Sequence, residues 1–176
     1  MTLSEIFTCK LDGETYGLLN HYPTMVKWWV DQAKESPVSF SGFRNYFYNA
    51  WKSAWGTYNS QHAQTSCLVA YNLLKLSEGQ TRKEEEVKGN FAVISPRIVK
   101  IEDGEKLVFP TRPPKKGHVQ LLPKNQTQKT LVEQAQNQYW QISQVFLTPN
   151  WCVIPFVRYL DLTKEKEDIL VQKLLK

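Results

Sequence analysis

Polar and apolar residues interleave from Glu5 to Leu11 (EIFTCKL) and stop at Asp12-Gly13, the pattern of a short half-buried strand ending in a turn. From Pro23 onward the period lengthens. In TMVKWWVDQAKE the residues Val26, Trp29, Val30 and Ala33 fall on one helical stripe, which Ser36-Pro37 ends. Residues 40–55 repeat the pattern through Phe43, Phe47, Ala50, Trp51 and Ala54. After Gly56, Asn59 can cap a third helix to about Leu76, with Ala63, Cys67, Ala70, Tyr71 and Leu74 at helical spacing. Residues 23–76 therefore predict three helices packed together.

Residues 77–89 (SEGQTRKEEEVKG) are polar and dense in charge, which marks an exposed linker. Beyond it the period shortens to that of strands. Arg97–Glu102 and Glu105–Phe109 flank Asp103-Gly104, a dipeptide suited to tight hairpin turns. A strand at His118–Leu122 follows the loop Pro110–Gly117, and a helix spans about Gln126 to Gln136. A second hairpin pairs Tyr139–Leu147 with Trp151–Tyr159 across Thr148-Pro149-Asn150. With the opening strand this makes about six strands, enough for a small barrel that removes its edges by closing. An amphipathic helix is expected at Lys164–Leu175. The predicted fold is thus α+β, a small antiparallel OB-like β-barrel with a three-helix insertion after its first strand and a C-terminal helix. Its parts are a discontinuous barrel (1–22 and 90–160), a helical group (23–76), a linker (77–89) and the final helix (161–176).

Composition narrows the classes of function. With 41% hydrophobic residues and six Trp, the chain has the apolar area to fold. Cys9, Cys67 and Cys152 are far apart and form no CxxC pair, so neither a disulfide framework nor a zinc site is expected, and a reducing cytoplasm fits. No run approaches the ~18 apolar residues of a membrane span. The sequon Asn125-Gln126-Thr127 has no role in a protein that is not secreted. His21, His62 and His118 stand in different elements without metal-ligand spacing, and no GxSxG, GxGxxG or Walker loop occurs. No cofactor, metal or catalytic residue is therefore expected.

Charge adds a direction. The net charge is +5, with a pI of about 9.0. Residues 1–90 balance nine Lys/Arg against nine Asp/Glu, whereas residues 91–160 hold nine against four. The excess therefore lies in the β-rich segment, where it supplies attraction to phosphate. Arg112, Lys115 and Lys116 crowd one loop that Pro110, Pro113 and Pro114 stiffen. At the start of the third helix Tyr58 stands beside Asn59, Ser60, Gln61 and Gln64. There, free amides suit a phosphate and the Asn and Gln amides match adenine, or the group is an ordinary cap.

Two runs carry a family resemblance. Trp55–Lys75 (WGTYNSQHAQTSCLVAYNLLK) resembles the helix of transposon-encoded TnpB proteins that carries a Ser-Gln-x-Ala-Gln element followed by Ala-Tyr. Ile98–Pro110 (IVKIEDGEKLVFP) is similar to the hairpin that follows it in those proteins. TnpB proteins are RNA-guided DNA endonucleases related to type V CRISPR effectors, and their N-terminal half is a wedge β-barrel interrupted by a helical recognition lobe. The resemblance covers nearly this whole chain and about the first half of a typical member.

It implies DNA-motif contacts at Thr57, Tyr58 and Gln61, with Ser95 nearby on the wedge. Thr57 is shorter than the residue relatives often carry there. Arg97, Lys100, Arg112, Lys115, Lys116, Lys124 and Lys129 would face guide-RNA backbone, read by shape and phosphate rather than by base. The family's RuvC-like nuclease has no counterpart. Asp161 in YLDLT is the nearest imitation of its first carboxylate, but it lacks the following Gly and has 15 residues after it.

The expectation is a nucleic-acid-binding module for guide-like RNA and DNA without catalytic residues of its own, whose nuclease a RuvC-bearing subunit would supply. The alternative is a protein-interaction or regulatory module that docks on a full-length nuclease or another partner, using Ile169, Leu170 and Leu174 of the last helix. An enzyme of another type has the least support, because no titratable cluster stands at catalytic spacing.

Overall fold

The computed structural model describes residues 1–35, 40–76, 87 and 89–158. The expected linker (77–89) falls almost wholly outside the described residues, and the helix at 164–175 does so entirely. The chain begins with β1 (Thr2–Leu11), whose odd-numbered Phe7 and Cys9 are buried while Ile6, Thr8 and Lys10 are exposed. That alternation places one face on a core and one in solvent.

Helix α1 (Gly13–Glu35) follows at once, ten residues earlier than the sequence pattern predicts. Asp12 caps it, since the Thr15 N–H donates to Asp12 Oδ1 at 2.8 Å and the Tyr16 N–H to the Asp12 carbonyl at 3.0 Å. Pro23, read from the sequence as a helix start, lies inside the helix. It has no N–H for the Leu19 carbonyl, a loss that costs about 3 kcal/mol in isolation. Burial offsets it: Leu18, Leu19, Tyr22, Met25, Val26 and Trp29 form one fully buried stripe that runs straight past the proline.

Helices α2 (Phe40–Trp55) and α3 (Ser60–Leu76) complete the insertion. Phe43 and Trp51 of α2 are buried, whereas Ala50 and Ala54, expected on the same stripe, are exposed. The Trp29 indole N–H donates to Ser66 Oγ at 3.0 Å and ties α1 to α3.

Seven more strands follow: β2 (Ala92–Ile94), β3 (Lys100–Glu102), β4 (Lys106–Pro110), β5 (Lys116–Leu122), then helix α4 (Gln126–Gln136), β6 (Gln141–Ile142), β7 (Val145–Leu147) and β8 (Trp151–Val157). All described pairings are antiparallel, in the order β2-β7-β8-β1-β5-β4-β3, with β6 also on β8. The molecule is α+β, a curled half-barrel sheet with helices inserted after its first strand. Among the described residues β2 and β3 do not pair with each other, so the expected closed barrel stays open. Helices cover its edges instead, α3 packing on β2 and α4 on β3, where the Gly104 N–H donates to Gln136 Oε1.

Three strand features differ from expectation. Strand β3 starts at Lys100 rather than Arg97 because the Ile98 and Val99 N–H groups turn back to the Ser95 carbonyl. Strand β2 is too short to carry a period. The expected strand 139–147 is split: Ile142 and Phe146 stand four positions apart while their partners Phe156 and Val153 stand three apart. This one-residue bulge lies opposite Pro155, whose carbonyl accepts from the Ser143 N–H but which has no N–H to return.

One apolar core runs through helices and sheet, from Trp29, Trp51 and Tyr22 to Phe7, Phe109 and Phe156. Gly117 sets how closely α1 approaches β5, since a Cβ there would lie 2.5 Å from Thr15 Oγ1 and 3.1 Å from side-chain atoms of Phe109 and Thr111. Gly117→Ala is expected to lose about 1–3 kcal/mol of stability by overpacking. Urea unfolding followed by far-UV circular dichroism checks it.

Candidate nucleic-acid interface

Two segments distant in sequence form one cleft of about 500 Å³. Gly56, Thr57, Tyr58, Asn59 and Ser60 form one wall, and Arg112, Pro113, Pro114 and Lys115 of the β4–β5 loop form the other. The Asn59 N–H donates to the Thr111 carbonyl at 2.8 Å and clamps the turn before α3 to the loop. The loop closes on itself, with the Thr111 N–H on the Lys115 carbonyl at 3.2 Å and the Lys115 N–H on the Arg112 carbonyl at 2.8 Å.

Asn59 is also the cap expected for α3. Its Oδ1 accepts from the Gln61 N–H at 2.9 Å and its carbonyl from the His62 N–H at 2.9 Å. The helix start is therefore partly satisfied by its own cap before any anion arrives.

The cations are organised by Glu14, in the first turn of α1. Arg112 Nε donates to Glu14 Oε1 at 2.9 Å and Nη2 to Oε2 at 2.8 Å, while Lys115 Nζ lies 3.9 Å from Oε2. Thr111 Oγ1 also donates to Glu14 Oε1, at 2.8 Å. The Arg112 hydrogen bond holds the Glu14 carboxyl below its ordinary range against the opposing effect of burial, and the Thr111 hydroxyl and both cations add to it. Arg112 is thus not a free cation, whereas the Lys115 side chain is 65% exposed.

The Arg112 guanidinium also stands 5.7 Å from the centre of the Tyr58 ring. The Tyr58 hydroxyl is hydrogen-bonded to His21 Nδ1, and burial raises its pKa above the usual phenol value.

Of the residues singled out in the sequence, Thr57, Tyr58, Arg112 and Lys115 line this cleft. Thr57 is exposed and Tyr58 is a buried wall. Gln61 and Ser95 meet each other, the Ser95 hydroxyl donating to Gln61 Oε1 at 3.1 Å and accepting from the Arg97 N–H at 3.3 Å. Ser95 is itself buried, so what it does is orient Gln61. Arg97, Lys100, Lys116, Lys124 and Lys129 are exposed and stand outside the cleft. The sequence reading missed Glu14 and His21. An acidic residue in the first turn of a helix was the available signal for Glu14, but it was hidden while α1 was placed after Pro23.

No protein-family model matches the chain, and no curated protein matches it at a significant level. Among the described residues no group of three His, Cys, Asp or Glu side chains is placed to hold a metal ion. No described helix is long and apolar enough to cross a membrane. What the cleft assembles is two cations, an aromatic wall and a capped helix start.

His62 sits beneath it. Its Nε2–H donates to the Pro110 carbonyl at 3.0 Å, which leaves Nδ1 unprotonated, buried and without a hydrogen-bond partner among the described residues. A proton on Nδ1 would be a buried charge, so burial pushes the His62 pKa from 6.5 down to about 4. The unfolded chain binds this proton below about pH 6.5 and the folded chain does not, so stability falls as pH drops from 6.5 toward 4. Between pH 7.5 and 5 the loss is about 2 kcal/mol, at ~1.4 kcal/mol per unit. In His62→Gln, whose amide can still donate to Pro110, the slope over this range should flatten. Urea unfolding of both proteins across pH measures it, and an unchanged slope would assign the loss to other groups.

Proposed function

We propose that the chain is a nucleic-acid-binding module, the wedge-plus-recognition half of an RNA-guided effector of the TnpB kind. In this reading the cleft grips phosphodiester backbone beside a short DNA motif, with Thr57 and Gln61 nearest the bases. The exposed lysines of the β-rich segment face a guide-like RNA. Cleavage, where it occurs, belongs to a partner chain carrying a RuvC-like domain.

The observation that supports this most is the convergence of Thr57-Tyr58 in one cleft with Arg112 and Lys115, which come from the segment that holds the whole excess of positive charge. Phosphate contacts position a nucleic acid and supply the salt-dependent part of its affinity, whereas base contacts specify sequence. Glu14 acts here as an internal stand-in for phosphate. It holds Arg112 and Lys115 in place and gives them up to a ligand that carries more negative charge.

Gel shifts across a salt series test the reading, with a structured RNA transcribed from the DNA flanking the coding sequence, random RNA of equal length, and duplex DNA. The locus RNA should bind more tightly than random RNA. Lys115→Ala should lower the slope of log K against log salt on duplex DNA by about one. Glu14→Gln, which releases both cations, should tighten DNA binding roughly threefold to tenfold and steepen the slope. Equal binding of the two RNAs, together with two variants indistinguishable from the parent, would refute the proposal.

A further inference from the structure

The outer face of the curled sheet carries a graded surface that none of the cleft residues explains. Strand alternation sends Ile6, Thr8 and Lys10 of β1 outward, and the pairing register extends each of them into a row. Ile6 faces Val153, which faces Phe146, which faces Val93, so one apolar row crosses four strands. In the next row Trp151 faces Thr8 and Thr8 faces Leu122; in the third, Lys10 faces Gln120, Gln120 faces Lys106 and Lys106 faces Glu102. Successive rows lie about 7 Å apart along β1.

The apolar end is aromatic and open. Phe146 and Trp151 are 36% and 41% exposed, with ring centres 5.7 Å apart, and Ile6 beside them is 57% exposed. Phe91 stacks on Phe146 at 5.8 Å with 19° between the planes and touches the buried Tyr22 edge-on, so the exposed rings are braced from the core. A braced ring loses little entropy when a second flat group is laid on it.

The polar end carries two cations, Lys10 and Lys106, with one carboxylate, Glu102, at its outer margin. Lys10 makes no ion pair among the described residues, and Lys106 makes only the exposed 3.4 Å pair with Asp103, which stabilises little in water.

We propose that this face binds unpaired nucleobases of single-stranded DNA or RNA, the bases stacking on Trp151 and Phe146 and the phosphates running along the Lys10–Lys106 row. Flat π-faces and a regular negative charge in one molecule answer both ends of the gradient, while an aliphatic protein surface would leave the lysine row unmatched. The inference takes only the class of partner from the proposed function. Its site is separate from the cleft.

Fluorescence anisotropy with labelled oligothymidylate and oligouridylate of roughly 15 nucleotides tests it on the full chain and shows which sugar is preferred. The double variant F146A/W151A should bind roughly tenfold or more weakly with an unchanged salt slope. Trp151→Phe, which keeps a stacking surface and guards against a folding artefact, should stay close to the parent. Lys10→Ala should reduce the slope by a little under one. Lys115→Ala, in the cleft, should bind these oligomers like the parent, so failure of the cleft reading and failure of this one are separable. The inference is overturned if the double variant matches the parent. It is also overturned if duplex competes as well as single strand, or if the parent is a dimer that W151A dissociates and that binds neither oligomer.

Discussion

Strand β1 is hydrogen-bonded along both edges, to β5 from Thr8↔Leu122 to Leu11↔Val119 and to β8 from Thr2↔Val157 to Thr8↔Trp151. It is the middle of the sheet, and without it β8-β7-β2 and β5-β4-β3 are two unconnected ribbons. Its partners lie more than a hundred residues away in the chain, so the sheet cannot assemble until the helical insertion has been looped out. Such non-local pairing is slow to form because the loop-closure entropy comes first. The helices share one core with the strands, Trp29, Phe43, Trp51 and Ala63 lying in the same buried cluster as Phe7, Phe109 and Phe156.

The cleft inherits its geometry from the same arrangement. Asp12 ends β1 and caps α1, and two residues on Glu14 reaches the β4–β5 loop. One carboxylate then fixes an arginine and a lysine that would otherwise sweep through many rotamers. The gain in order is set against a loss in net positive charge, and the balance is local: Lys115, at 3.9 Å, is held far more loosely than Arg112. A pre-organised pair of cations of unequal availability suits a ligand that arrives by charge and is then positioned by a fixed guanidinium.

What could be read in the sequence was whatever had a purely local cause. The Asp103-Gly104 turn adopts positive φ at both residues, 53° and 66°, as its dipeptide demands. Helix α4 begins after Asn125, whose side chain accepts from the Gln128 N–H, and ends at Gln136. The convergence of Tyr58 with Arg112 was not legible, since no local rule links residues so far apart and the family resemblance assigned the two to different ligands. What misled had tertiary causes. A buried stripe carried α1 through Pro23, a rule-breaking proline on β8 displaced its neighbour into a bulge, and helices packed on β2 and β3 took over the edge protection that strand closure would have given. The three-residue β2 is stabilised by β7 and α3 rather than by its own pattern.

The insertion also decides which surface of the sheet is left for binding. Helix α1 packs on β5 and β2, α3 on β2, and α4 on β3, so the helices lie against the inner face and both edge strands. Ile6, Phe146 and Trp151 stay exposed because no described helix reaches the convex face over β1, β7 and β8. Apolar side chains in that position cost solubility and give the fold little, since the core beneath them is already closed by Phe7, Cys152 and Ile154. Their place beside Lys10, which makes no ion pair among the described residues, is what the proposed ligand with both π-faces and charge would use. In the proposed reading each surface sets a contact for phosphate beside one for a base: Arg112 and Lys115 beside Thr57 in the cleft, and Lys10 and Lys106 beside Phe146 and Trp151 on the convex face.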